Sequence, residues 1–129
     1  MTKIILTAHG ELSKAFLYSV EMIAGEQNPD EVAAVNFYPD DSLETLKGRL
    51  EEQIIKFNPE ENHIIIFTDL KAGSPFNASF LLSKTYKLSV IYGMNLPMLL
   101  EILLMKDMYN TRDDLLPVMD LTKDSIGII

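Results

Sequence analysis

The sequence contains no cysteine among its 129 residues. Disulfide bonds, thiolate nucleophiles and metal sites with cysteine ligands are therefore excluded. The absence agrees with a reducing compartment, so we expect a cytoplasmic protein.

Basic residues are also scarce. Eleven Lys and Arg residues stand against 19 Asp and Glu residues, which gives a net charge of -8. This charge opposes binding to nucleic acid and to anionic membrane surfaces, so we expect neither nucleic acid as a partner nor direct membrane insertion. The acidic excess is explained most simply as a solubilising surface.

Long apolar runs are missing as well. Before His9, only residues 4–6 are strongly apolar, which is far short of a signal-peptide core. The run at residues 96–105 contains Glu101 and is too short to span a bilayer. A helix formed by this run is apolar nearly all round, so it needs cover either within the monomer or in a subunit interface.

The composition that remains is that of a globular domain, with 47% apolar and 23% charged residues. The length favours a single domain covering residues 1–129. Apolar runs of strand length alternate with segments of helical periodicity. Strands are predicted at residues 3–8, 31–38, 63–68 and 88–92, helices at 12–24, 43–57, 74–86, 97–107 and 113–123, and a short tail or edge strand at 126–129.

Two helices carry more detailed predictions. Asp41 and Glu44 have the spacing of a capping box for the second helix, whose apolar residues recur at steps of three and four. The third helix is predicted to bury Phe76, Phe80 and Leu81.

The alternation predicts an α/β fold, a doubly wound three-layer sandwich with a mainly parallel sheet. In the flavodoxin-like strand order 2-1-3-4, a ligand crevice opens between the carboxyl ends of strands one and three. Those ends carry His9 and Asp69, which are 60 residues apart in the sequence. If the strand order is correct, the two residues become neighbours where such folds bind ligands.

A strand end, a loop and a helix start are combined in FTDLKAGSPFN, residues 67–77. Ser74 is predicted to be the helix N-cap, and Pro75 to occupy the first helical position. The loop, with Ala72 and Gly73, would then direct unpaired amides at one small volume. Such a helix start attracts anions, phosphate above all.

His9 and Asp69 are the candidate reactive pair. A neutral imidazole is a nucleophile, and a carboxylate that accepts from Nδ1–H leaves Nε2 free to attack. Each residue also has a simpler explanation: histidines are more often structural, Asp69 can merely cap its loop, and Ser74 can be only an N-cap. His63 lies at the opposite edge of the predicted sheet, and we interpret it as structural.

Several other chemistries are disfavoured. No GxxxxGK[ST] or GxGxxG motif is present, so the usual nucleotide loops are missing. One histidine with one carboxylate makes a poor metal site. A serine hydrolase is also disfavoured, because Pro75 follows Ser74 and would remove an oxyanion-hole N–H.

Four motifs in order carry a resemblance to a known family: TAHG at residues 7–10, EMIAGEQ at 21–27, TDLKAGSPFNAS at 68–79 and GMNLPMLLE at 93–101. They resemble the IIA component of the mannose family of the bacterial phosphoenolpyruvate-dependent sugar phosphotransferase system, over nearly the whole chain. The resemblance implies a phosphotransferase that uses no metal or nucleotide cofactor. His9 would accept a phosphoryl group from the carrier protein HPr and pass it to a IIB component.

The resemblance also assigns roles to other residues. Asp69 would orient His9, and Ser74 matches the serine of the family's GGSP loop. For a phosphocarrier, the loop amides at Ala72, Gly73 and Ser74 would in turn steady the phosphoryl group. Ala72 departs from the family pattern, which usually has glycine there, and alanine would strain the loop if that position needs a positive φ. The family is known for homodimers, which suits the apolar helix, and the chain looks like a free-standing IIA protein.

Two further functions remain open. A homologous IIA-like domain donates phosphate to a dihydroxyacetone kinase, and its histidine chemistry would be the same. Alternatively, the chain is a non-catalytic regulatory or scaffold module in which His9 is structural.

Overall fold

The computed structural model describes residues 1–129 and contains four strands and five α-helices. In chain order these are β1 (Thr2–His9), α1 (Leu12–Ala24), β2 (Val32–Phe37), α2 (Leu43–Lys56), β3 (His63–Thr68), α3 (Ser74–Leu82), β4 (Leu88–Ile91), α4 (Leu96–Leu104) and α5 (Leu116–Lys123). Two short 3-10 helices, Lys106–Met108 and Asp113–Leu115, lie between α4 and α5. No helix combines the length and the apolar character that crossing a bilayer requires.

The four strands form one parallel sheet in the order β2-β1-β3-β4. In the register of the central strand, Ile4 lies between Val32 of β2 and Ile65 of β3. Helices cover both faces of the sheet. The predicted doubly wound, flavodoxin-like fold is therefore confirmed.

The core has two halves, because successive side chains of a strand point to opposite faces of the sheet. On one face, Ile4, Leu6 and Ala8 of β1 pack with α1, α4 and α5. On the other face, Ile5 packs with residues of β3, α2 and α3. The strands are consequently apolar along most of their length, as expected for a parallel sheet covered on both sides.

The helix α2 has the predicted periodicity but a different cap. Its buried side chains are Leu46, Leu50 and Ile54. The N-cap is Ser42, whose side chain accepts a hydrogen bond of 3.0 Å from the Thr45 N–H. The predicted Asp41 capping box is wrong: the Asp41 carboxylate accepts from the Tyr38 N–H and pairs with Arg49 instead.

The helix α3 is rotated relative to the prediction. Its buried residues are Pro75, Ala78, Ser79 and Leu82, which lie at helical spacing on one face. The predicted burial of Phe80 and Leu81 is wrong, since both are exposed, and Phe76 is only half-buried. Small side chains at 78 and 79 allow the helix to approach the sheet, so the aromatic rings turn outward. The helix also ends at Leu82, before Tyr86.

The helix α4 is covered on one side. Met98, Leu99, Ile102 and Leu103 are buried, whereas Leu104 is 63% exposed. Burial within the single chain therefore accounts for only part of its apolar surface. The helix ends at Leu104 rather than at 107.

The last predicted helix is divided into a 3-10 turn and α5. Residues 126–129 form no strand. Of the two predicted alternatives, the segment is therefore a tail rather than an edge strand. Its isoleucines are exposed.

Candidate functional site

The strand order brings His9 and Asp69 together at the carboxyl ends of β1 and β3. The Asp69 Oδ2 atom lies 2.8 Å from the His9 Nδ1 atom and also accepts a 3.1 Å hydrogen bond from the His9 main-chain N–H. The other carboxylate oxygen, Oδ1, accepts from the Leu70 N–H at 3.0 Å. Three hydrogen bonds therefore hold the carboxylate in one orientation against the imidazole.

The environment of Asp69 favours its ionised form. Burial by itself raises the pKa of this carboxyl group, but the hydrogen bonds from the His9 ring and main chain outweigh burial and hold the pKa below its ordinary value. An ionised carboxylate can only accept, so the proton of a neutral imidazole lies on Nδ1. The Nε2 lone pair is then available, on a side chain that is 46% exposed.

Gly73 packs directly against the reactive edge of this imidazole. Its φ and ψ are 96° and 171°, a combination that essentially only glycine adopts. A Cβ atom at this position would lie 2.9 Å from His9 Cε1 and 3.1 Å from Nε2. Glycine is therefore required twice, for the backbone conformation and for the space beside Nε2.

Ser74 is the first residue of α3, and Gly73 occupies the N-cap position. The prediction of Ser74 as N-cap is wrong by one residue, because Gly73 makes the turn into the helix without a side-chain cap. The Ser74 hydroxyl makes no hydrogen bond within the chain and is half-buried. This hydroxyl is consequently available to a bound group.

Main-chain amides of the loop before α3 and of its first turn are also without partners. The main-chain N–H groups of Ala72, Gly73, Ser74 and Phe76 donate to no acceptor within the chain. Such N–H groups at a helix start carry partial positive charge and suit an anion. Ala72 has no positive φ, so alanine does not strain the loop here.

Phe37 is a further residue of the site, and no sequence motif pointed to it. Phe37 is the register partner of His9 in β2, and its ring meets the imidazole edge-on, with centroids 5.8 Å apart and an interplanar angle of 83°. The Gly10 N–H donates to the Phe37 carbonyl at 2.7 Å. Strand register would have been the signal, since it places the last residue of β2 beside the last residue of β1.

The second histidine lies elsewhere. Its Nδ1 is 2.7 Å from the Tyr109 carbonyl oxygen, and its Nε2 is 2.9 Å from Ser89 Oγ. These contacts connect the start of β3 to β4 and the C-terminal region, in agreement with the structural interpretation of His63. No group of three or more His, Asp or Glu side chains is placed to hold a metal ion.

Comparison with known proteins points to one family. Residues 3–119 match the EIIA-man family model, described as "PTS system fructose IIA component". The chain is 31% identical over 114 residues to the fructose-specific EIIA component of Bacillus subtilis, which covers 88% of this chain and 76% of that protein. It is 33% identical over 105 residues to the mannose-specific EIIAB component of Escherichia coli, covering 81% of this chain and 32% of that longer protein.

A solved structure agrees with the sequence relatives. The phosphotransferase system component EIIA from Streptococcus agalactiae superposes with a TM-score of 0.87 at 36% identity, over 99% of this chain and 97% of that chain. Membership of this family supports a phosphocarrier role and a transferase activity in sugar transport, and it implies interaction with HPr and a IIB component. The chain belongs to the EIIA-man family of IIA components of the phosphotransferase system.

Proposed function

We propose that His9 accepts a phosphoryl group on Nε2 from phosphorylated HPr and passes it to a histidine of a IIB component. One observation supports this role above the others. The Asp69 Oδ2 atom lies 2.8 Å from Nδ1, whereas Nε2, on a half-exposed side chain, faces the loop that leads into α3. The residue is thus oriented as a nucleophile with its lone pair outward.

The transfer needs no proton movement at the attacking atom. The Nε2 lone pair forms a bond to phosphorus as the P–N bond to the donor histidine breaks, and the donor ring keeps the electron pair of that bond. The His9 ring then carries positive charge with its proton still on Nδ1. Asp69 stabilises this charge through the hydrogen bond already present, so little reorganisation is required.

The phosphoryl oxygens would be held by the start of α3. The N–H groups of Ala72, Gly73 and Ser74 and the Ser74 hydroxyl have no other partner in the chain. Hydrogen bonds from these groups steady the phosphoryl group without a metal ion. A relay also has to release its cargo, and a partly open site is consistent with that requirement.

We further propose that residues 1–129 act as one EIIA domain in the cytoplasm and pair with a second copy. The exposed apolar residues at the end of α4, Leu104 at 63% and the following Met105 at 47% exposure, support an apolar subunit contact. Sedimentation equilibrium measures this: a dimer is expected, and a monomer at micromolar concentration contradicts it.

Labelling tests the histidine chemistry. The chain is incubated with enzyme I, HPr and radioactive phosphoenolpyruvate, and we expect an adduct that is labile in acid and stable in base. His9→Ala should abolish it, whereas His63→Gln, which alters the other histidine of the chain, should still be labelled. Label that survives His9→Ala would refute the proposal.

The acceptor is tested with the labelled chain after HPr is removed. Purified IIB components of the mannose family and the phosphoryl-accepting subunit of a dihydroxyacetone kinase are offered in parallel. We expect transfer to IIB. Transfer only to the kinase subunit would instead assign the chain to phosphorylation of dihydroxyacetone rather than to sugar uptake.

A further inference from the structure

The loop that runs from Asp69 to Gly73 contains a single cation, Lys71. Both ends of this loop touch the imidazole: Asp69 bonds to Nδ1, and Gly73 packs beside Nε2. Two residues of chain span at most about 7 Å, so the Lys71 Cα lies no farther than that from either contact residue. Its side chain has a long, flexible stem, so the ammonium group can change position near this loop.

Lys71 has no carboxylate partner. The five ion pairs of the chain involve other residues. Its ammonium group instead lies 5.4 Å from the centroid of the Tyr92 ring, and its side chain is exposed. A cation on an exposed aromatic ring is held weakly. The charge is thus tied to no carboxylate and can leave the ring at little cost.

No lysine or arginine forms an ion pair with Asp69 or His9. A phosphoryl group on His9 adds up to two negative charges next to ionised Asp69, in a chain of net charge -8. The loop amides supply only partial charges. Arg49, on the β2 side, is already paired with Asp41 and donates to the Asn36 carbonyl.

We propose that Lys71 leaves the Tyr92 ring when His9 is phosphorylated and makes a charge-assisted hydrogen bond to a phosphoryl oxygen. The inference rests on the proposed phosphorylation of His9 and assigns that site its cationic contact. The ammonium donates and keeps its proton, and no covalent bond is formed or broken. The contact favours the phosphorylated form of this chain in its exchange with the donor.

The chain provides a matched control in Lys84. This residue is also exposed, and its ammonium lies 4.5 Å from the centroid of the Phe80 ring. It follows the far end of α3, away from the helix start that faces His9. Lys84→Gln therefore removes the same charge and the same type of ring contact as Lys71→Gln, but at a distance from the phosphoryl group.

The test uses the isolated phosphorylated chain, after enzyme I and HPr have been removed. The pKa of the phosphoryl group is measured by phosphorus NMR in a pH titration. A nearby cation favours the dianion, so Lys71→Gln should raise this pKa by roughly one unit, as expected for one charge about 3 Å away in water. Lys84→Gln should leave it close to wild type, and Lys71→Arg should restore the wild-type titration.

The outcomes separate this inference from the proposed function. If the wild-type chain is not labelled on His9, the proposed function fails, and the inference fails with it. If all variants are labelled and titrate alike, the phosphohistidine stands and the role of Lys71 is refuted. Equal shifts for Lys71→Gln and Lys84→Gln would also refute it, because the effect would then be overall charge. A slower transfer from HPr with an unchanged titration refutes it as well, and assigns Lys71 to partner docking.

Discussion

Gly73→Ala is the substitution that examines the geometry of the site most directly. The backbone of Gly73 has φ 96° and ψ 171°, and the added methyl group would lie 2.9 Å from His9 Cε1 and 3.1 Å from Nε2. Carbon atoms in favourable contact are about 3.5–4.0 Å apart, so either the imidazole or the loop has to move. Movement of the ring lengthens the 2.8 Å contact with Asp69, and movement of the loop displaces the amides before α3.

Gly25 supplies a control with nearly the same backbone. It ends α1 with φ 93° and ψ 167°, and a Cβ there would have no atom within 4 Å. Gly25→Ala therefore reproduces the backbone strain of Gly73→Ala without the contact with His9. Each substitution should lower the free energy of unfolding by about 1–3 kcal/mol from strain alone. The excess cost of Gly73→Ala over Gly25→Ala measures the clash.

Two assays are needed, urea unfolding and the initial rate of labelling from phosphorylated HPr. Displacing a reacting group by about 1 Å can cost on the order of 10²-fold in rate, so Gly73→Ala should label at least that much more slowly than wild type. Gly25→Ala should label at the wild-type rate at temperatures where it is folded. Equal labelling rates for the two variants would refute the argument that Gly73 sets the space beside Nε2.

Three further substitutions are predicted. Asp69→Asn should slow labelling by about 10²-fold or more, because the new amide can stabilise the wrong imidazole tautomer. The pKa of Asp69 is lowered in the folded chain, so its ionised form stabilises the fold above about pH 4. Wild type should therefore have a larger free energy of unfolding than Asp69→Asn at neutral pH, and this difference should shrink as the pH falls below about 4. A difference that grows in acid would contradict this. Ser42→Ala should lower the free energy of unfolding, measured in urea, by about 1 kcal/mol, because the Thr45 N–H loses its 3.0 Å hydrogen bond to the Ser42 hydroxyl. The labelling rate should stay unchanged. Ala72→Gly should lower the free energy of unfolding by about 0.4–1 kcal/mol, because glycine increases the conformational entropy of the unfolded chain and position 72 has no positive φ that would favour it. A stabilised variant would show that alanine is strained there.

Local patterns were sufficient to predict most elements. The bounds of β3, residues 63–68, are those expected from its apolar run, and the buried positions of α2 follow its period of three and four. Both signals depend on neighbouring residues along one chain segment. The choice between Asp41 and Ser42 as the cap was different, because Arg49 competes for the Asp41 carboxylate and is contributed by the helix itself, two turns later.

The orientation of α3 could not be obtained in this way. Apolar residues lie on several sides of α3, so the sequence alone favoured the large aromatic side chains as the buried ones. The sheet instead receives Ala78 and Ser79, because only small side chains allow the close approach, and Phe80 is left exposed. Packing against α2 and against strands distant in sequence made that decision.

The sequence by itself determined which chemical groups are present: one histidine and one carboxylate at strand ends, and a glycine and a serine where a helix begins. Tertiary structure decided that His9 and Asp69, 60 residues apart, meet at 2.8 Å, that Phe37 borders the ring, and that Gly73 lies against Nε2. The physical reason is that side-chain chemistry and periodicity are properties of a segment, whereas these contacts depend on strand order and register. Those are set by which apolar faces pack together across the whole chain.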